Sequence, residues 1–187
     1  MIRKAVPPKE AASALILLLL LVAALYIVEP KRGGGPLGLV LGLAAVHALL
    51  ISPALVDTPG WGLGFLPWLL AGPAVAAASY GRGGADVLLR SFGLLALCAV
   101  AGSAGRALVG RRVGALYLPT MVLLLVAPFA LAYLVAEFGG GDAAAWRPLS
   151  PWGAAVRIES GGPLSMPGVL ALMAWPVVAL VRPREAK

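Results

Sequence analysis

Three ionisable side chains fall inside or at the ends of long apolar runs: His47, Arg90 and Glu137. A titratable group carried into an apolar medium marks a proton path, an ion or substrate site, or a counter-ion, because its burial is costly. His47 can relay a proton or hold a ligand, and as a neutral imidazole it can equally bond a neighbouring helix. Arg90 and Glu137 stand close enough to the ends of their runs to act also as interfacial anchors.

Beyond these three, little chemistry is on offer. The 187 residues contain eight acids, one histidine and one cysteine. Cys98 has no second cysteine with which to form an intramolecular disulfide or a Cys-based zinc site, and reads as a small packing residue. No Gly-Lys-Ser/Thr triplet, HExxH helix or GxSxG elbow occurs, which removes a P-loop, a zincin and a hydrolase nucleophile. No catalytic, cofactor-binding or metal-ligating residue is therefore assigned. The chain reads as a non-enzyme without a cofactor.

The elements that must position these residues follow from composition. The sequence is 60% apolar and 12% charged, against about 45–50% and 25% for a soluble domain. Such a chain cannot cover itself with polar surface, so the implied solvent is lipid. The net charge of +7 comes from basic residues in twos and threes at the edges of apolar runs, as membrane anchors do, and not from a stripe suited to nucleic acid.

A bilayer core requires about 20 apolar residues per helix. Six runs approach that length, at 11–28, 36–56, 61–80, 87–108, 113–136 and 164–181, with an outer loop at 138–163. The expected fold is an all-α, polytopic membrane helix bundle forming a single transmembrane domain. The first run shares a basic start and Leu-rich centre with signal peptides, but its length and the sequence Tyr26-Ile27-Val28-Glu29-Pro30 favour an uncleaved span. Asp57-Thr58-Pro59-Gly60 is a strong turn signal that pairs the second and third runs as a hairpin. Asp86, Arg90 and Arg106 interrupt the fourth run, and a five-span arrangement with this run re-entrant stays open.

Pro53, Pro67, Pro73, Pro119, Pro128 and Pro176 lie within the runs, where each kinks a helix or is accommodated as an ordinary membrane-helix proline. Gly38 and Gly42 form a GxxxG step that lets another helix approach. In the outer loop, Ser150-Pro151-Trp152 predicts a helix start, with the Ser oxygen as cap and Pro at the first helical position. Trp152, Ala155, Val156 and Glu159 then share one face before Ser160-Gly161-Gly162-Pro163 ends the helix. The segment either lies at the membrane surface, dips into it, or packs on the bundle as a capped loop helix.

Orientation follows from the retention of Lys and Arg on the cytoplasmic side. With the amino terminus inside, Arg3, Lys4, Lys9, Arg106, Arg111, Arg112, Arg182, Arg184 and Lys187 lie inside, and Lys31, Arg32, Arg82, Arg90, Arg147 and Arg157 outside. The excess favours an even number of spans with both termini cytoplasmic, in a bacterial-type inner membrane.

A run ending at Gly105-Arg106 and Arg111-Arg112, a Leu-rich span with internal Pro119 and Pro128, an outer loop with Leu149-Ser150-Pro151-Trp152-Gly153-Ala154-Ala155, and a last span running into Arg182-Pro183-Arg184 resemble the end of ABC-2 type transporter permeases. The resemblance covers residues 92–187. It implies six membrane helices, cytoplasmic termini and short helices dipping from the outer side before the last span. It also implies a separate ATPase partner and a second permease copy. The amino-terminal half differs, with ten residues before the first run and a short Asp57–Gly60 turn in place of an interfacial helix and a coupling loop. The alternative is a non-catalytic accessory or scaffold subunit of a larger membrane complex. A cysteine placed at position 143 in a Cys98-free background should be labelled by an impermeant thiol reagent from outside intact cells; labelling only from the cytoplasmic side would reverse the orientation.

Overall fold

The computed structural model describes residues 8–27, 36–55, 66–79, 84–108, 113–139, 141–142 and 145–181. Among these, every regular element is helical and none is a strand. The elements are α1 (Pro8–Ile27), α2 (Pro36–Val46), α3 (Ser52–Leu55), α4 (Leu66–Ser79), α5 (Ala85–Ala107), α6 (Tyr117–Leu134), α7 (Pro151–Glu159) and α8 (Met166–Val181). A π-helical turn, His47–Ile51, joins α2 to α3 without a break. A 3-10 turn, Val113–Leu116, leads into α6, and a second π turn, Val135–Gly139, extends it. The Asp57–Gly60 turn, the tripeptide at Gly33–Gly35 and the basic groups at residues 3–4, 31–32, 111–112 and 182–187 lie outside the described residues.

Three helical stretches among the described residues are long and apolar enough to cross a membrane: Leu37–Ala54, Ala85–Ala107 and Val113–Gly139. Met166–Val181 is apolar but shorter. The chain is thus a membrane-embedded helical protein. Six is the number of apolar runs in its sequence, whereas three is the number of full-length crossings found among its described residues. For α8 the cause is local. Pro167 cannot donate a backbone hydrogen bond and is tolerated only in the first helical turn. Helix therefore begins at Met166, with Val169 N donating to Ser165 O at 3.0 Å.

The prolines divide by the same rule. Pro67 and Pro119 sit in the first turns of α4 and α6, where a missing donor costs little. Pro73, Pro128 and Pro176 lie inside α4, α6 and α8. Pro53 follows the π turn, in which Ser52 N reaches back to His47 O; that wider turn relieves the clash a proline makes with the preceding turn. Short hydroxyl side chains are satisfied within their own helices: Ser91, Ser103 and Thr120 donate to the carbonyls of Val87, Ala99 and Leu116 at 2.7, 2.7 and 2.8 Å.

Two helices form the centre. Leu37, Val40, Leu41, Ala44, Ala45, Ala48 and Leu49 bury α2 and its π turn on nearly all sides, and α5 buries Leu94, Leu95, Cys98, Ala99, Ala101 and Ala104. They cross where Gly102 meets the Ala48 carbonyl oxygen so closely that no Cβ fits. Small residues let two backbones approach in lipid, where there is no hydrophobic force between helices and dispersion must hold them. Against this pair, α1 and α4 pack on one side, α8 packs on α5, and α7 makes its most extensive contacts with α2. The helix α6 lies at the margin and exposes Leu118, Val122, Leu123, Val126 and Phe129, the face expected of a helix turned to lipid. Gly102→Ala should cost about 1–3 kcal/mol by forcing α2 and α5 apart, whereas Gly72→Ala, whose Cβ would make an ordinary 3.6 Å contact with Phe92, should not destabilise; unfolding in detergent compares them.

Candidate functional site

A nine-residue helix has too few internal hydrogen bonds to stand alone, so the position of α7 depends on how its ends are held. At its start, Ser150 Oγ accepts from Trp152 N at 3.3 Å and Pro151 occupies the first helical position. The same hydroxyl donates to Leu125 O at 3.1 Å. Leu125 lies beside Leu124, to whose carbonyl Pro128 cannot donate. Ser150 is fully buried and joins the start of α7 to the middle of α6.

This bond also sets the depth of the segment. Leu125 is one residue from the middle of the helical run Val113–Gly139. The 3-10 turn Arg147–Leu149 therefore lies back alongside α6, and Ser150 stands level with the centre of that helix. The return limb is α7. Trp152 lies against Gly42 and Glu159 against Gly38, where added Cβ atoms would come within 2.8 Å of the indole and 2.5 Å of the carboxylate. The segment is re-entrant: it enters alongside α6 and leaves toward the amino-terminal end of α2.

The exit is held by two charged residues. Glu159 Oε2 accepts from Gly38 N at 3.2 Å, placing a carboxylate on the first turn of α2, where the amides lack intrahelical partners and the dipole favours negative charge. Arg90 Nη1 donates to Gly161 O at 2.8 Å, a cation beside the carboxyl end of α7. Arg90 is itself oriented by Asp86, with Nε donating to Oδ1 at 3.1 Å and Nη2 paired with Oδ2. Gly161 ends the helix with φ of 79°, a left-handed conformation that favours glycine.

The predicted residues thus separate. Arg90, Ser150, Pro151 and Trp152 come together on the re-entrant segment, joined by Glu159, which the sequence placed only on an amphipathic face. Glu137 stands apart, exposed in the π turn after α6. His47 is fully buried at the first position of the other π turn, close to the α2–α5 crossing.

Sequence reasoning assigned Arg106 to an inner loop, and the structure puts it in the last turn of α5 at 1% exposure. The ring of Tyr117 rests on Gly105 and meets Trp175 edge-on, with centroids 5.1 Å apart and planes at 79°. The signal for this burial was the small-residue sequence Gly102-Ser103-Ala104-Gly105 beside the arginine, which opens room for an aromatic ring.

Among the described residues no group of three His, Cys, Asp or Glu side chains is placed to hold a metal. The assembled site is a structural junction of charged groups and helix ends, bordered by a groove between its two limbs. No family model, curated protein or solved structure matches this chain.

The junction yields an ordered set of stabilities. Ser150→Ala removes a cap and a bond between elements and should cost about 1–2 kcal/mol. Asp86→Asn weakens a pair whose aspartate is 64% exposed and should cost less than about 1 kcal/mol. Denaturant unfolding in detergent would check the order.

Proposed function

We propose that the chain is the membrane subunit of a transporter, an ABC-2-like permease that works with a separate ATPase and a second copy of itself. The observation that carries this reading is the re-entrant segment 145–161 between α6 and α8. Non-helical backbone at membrane depth is tolerated where protein or a water-filled cavity satisfies it, and transport proteins use such breaks to line a path. Here the break follows the penultimate apolar run and starts at Ser150-Pro151, the position and motif on which the resemblance rests. On this reading six runs cross a bacterial-type inner membrane, with both termini cytoplasmic and the re-entrant segment opening outward.

A second reading, an accessory subunit packed against larger membrane partners, draws support from α6. Only 22% of the most apolar window in Val113–Gly139 is buried, leaving a broad apolar face for lipid or for another helix. The two readings separate biochemically. Tagged protein purified from native membranes should retain a P-loop ATPase, identified by mass spectrometry, whose ATP hydrolysis elutes with the complex. Retention of non-ATPase membrane proteins in fixed stoichiometry, with no hydrolysis, would replace the permease reading with the accessory one.

A further inference from the structure

The two limbs of the re-entrant segment enclose a groove of about 540 Å³. Its walls include Asp142 and Arg147 from the descending limb and Gly153, Val156, Arg157 and Ser160 from α7. The last four fall at i, i+3, i+4 and i+7, one face of the helix, adjoining the edge that Trp152 and Glu159 turn to α2. The groove is therefore part of the fold of the segment and not an accident of one loose side chain.

Its charge is unequal, with two guanidinium groups against one carboxylate. Arg147 borders the groove from the descending limb and Arg157 from the facing helix, and both are exposed. The protein walls on either side concentrate the field of these groups in the groove.

Two glycines give the arrangement its shape. At Gly153 a Cβ would collide with the Arg147 carbonyl, so only glycine lets the limbs close at the arginine. At Gly162 a Cβ would fall 2.5 Å from Arg157 Cγ and 3.0 Å from Nε, so the missing side chain leaves room for the Arg157 stem to fold over the turn. Ser160 Oγ donates to Arg157 O at 2.8 Å and fixes the backbone there. Beside the guanidinium groups, Val156 lines the groove and is 50% exposed, which supplies an apolar border.

We propose that this groove binds a phosphate-bearing anion, held between Arg147 and Arg157 with the Ser160 turn at its rim. A phosphodiester suits paired arginines because planar guanidinium groups donate parallel hydrogen bonds to its oxygens. The anion is either the headgroup of an acidic phospholipid or a free phosphate. This assignment rests on the re-entrant geometry and not on the ATPase, so loss of one reading leaves the other standing.

The test uses the full-length protein in phosphatidylcholine nanodiscs, with phosphatidylglycerol titrated in one arm and inorganic phosphate against chloride at equal ionic strength in the other. Thermal stability and retained lipid measured by native mass spectrometry provide the readout. Stabilisation in the first arm identifies a headgroup, and in the second a free phosphate. Arg147→Gln and Arg157→Gln should each weaken the response at least about tenfold, the loss of one charge-assisted pair. Asp142→Asn should strengthen it, which a merely structural role would not do. Both arginines are exposed to the groove, and ligand-free melting of each variant confirms folding. Equal responses to phosphatidylglycerol and phosphatidylcholine together with equal responses to phosphate and chloride, or unchanged affinity in both glutamine variants, would overturn the assignment.

Discussion

Every backbone amide and carbonyl in an apolar surrounding needs a partner inside the protein, and the structure is organised by the one place where helix geometry cannot supply them. Long helices satisfy themselves. A nine-residue helix reached through a 3-10 turn does not, and the groups at its ends, one buried and one at the surface of the bundle, take partners from other elements. Ser150, Glu159 and Arg90 meet that demand from three directions: a hydroxyl shared with the middle of α6, a carboxylate on the start of α2, and a guanidinium on the end of α7. Each contact also ties α7 to a different helix, so satisfying the short segment and assembling the bundle are one event.

The glycines complete this logic. In lipid, close approach must be built from small residues because no solvent drives helices together. Gly38 and Gly42 receive α7, Gly102 receives the backbone of α2, and Gly105 receives the Tyr117 ring. A Gly and Ala content that would suggest loops in a soluble chain is here the contact surface of packed helices. Val113–Gly139 marks the opposite case, a helix of large side chains turned outward that meets the bundle through Tyr117, Met121 and the Leu125 carbonyl.

Much of this is legible in the sequence. Apolar run length indicates helices in lipid, Ser150-Pro151 indicates where α7 begins, and the spacing of Trp152, Ala155 and Glu159 indicates which edge packs, whereas Val156, on the same predicted face, is half exposed. What local pattern could not reveal was pairing. GxxxG is nearly uninformative in a chain this rich in glycine, and only the bundle shows that Gly38 and Gly42 face Trp152 and Glu159. Run length overstated α8 because hydropathy does not register that Pro167 delays the helix. The burial of Arg106 is hidden for a similar reason: charge count favours a loop, whereas its neighbour Gly105 receives the ring of Tyr117, twelve positions further along the chain.

The π turn at His47–Ile51 has a further consequence, for the phase of the central helix. One extra residue in a turn rotates everything beyond it by about 100° relative to an uninterrupted helix. Gly38 and Gly42 lie before the turn and face α7, while Ala48 lies within it and faces α5. A single continuous stretch of chain addresses both neighbours, and the turn sets the phase of the residues that follow it. His47, at the point where the phase changes, occupies the position from which any change in the width of that turn would be felt at both interfaces.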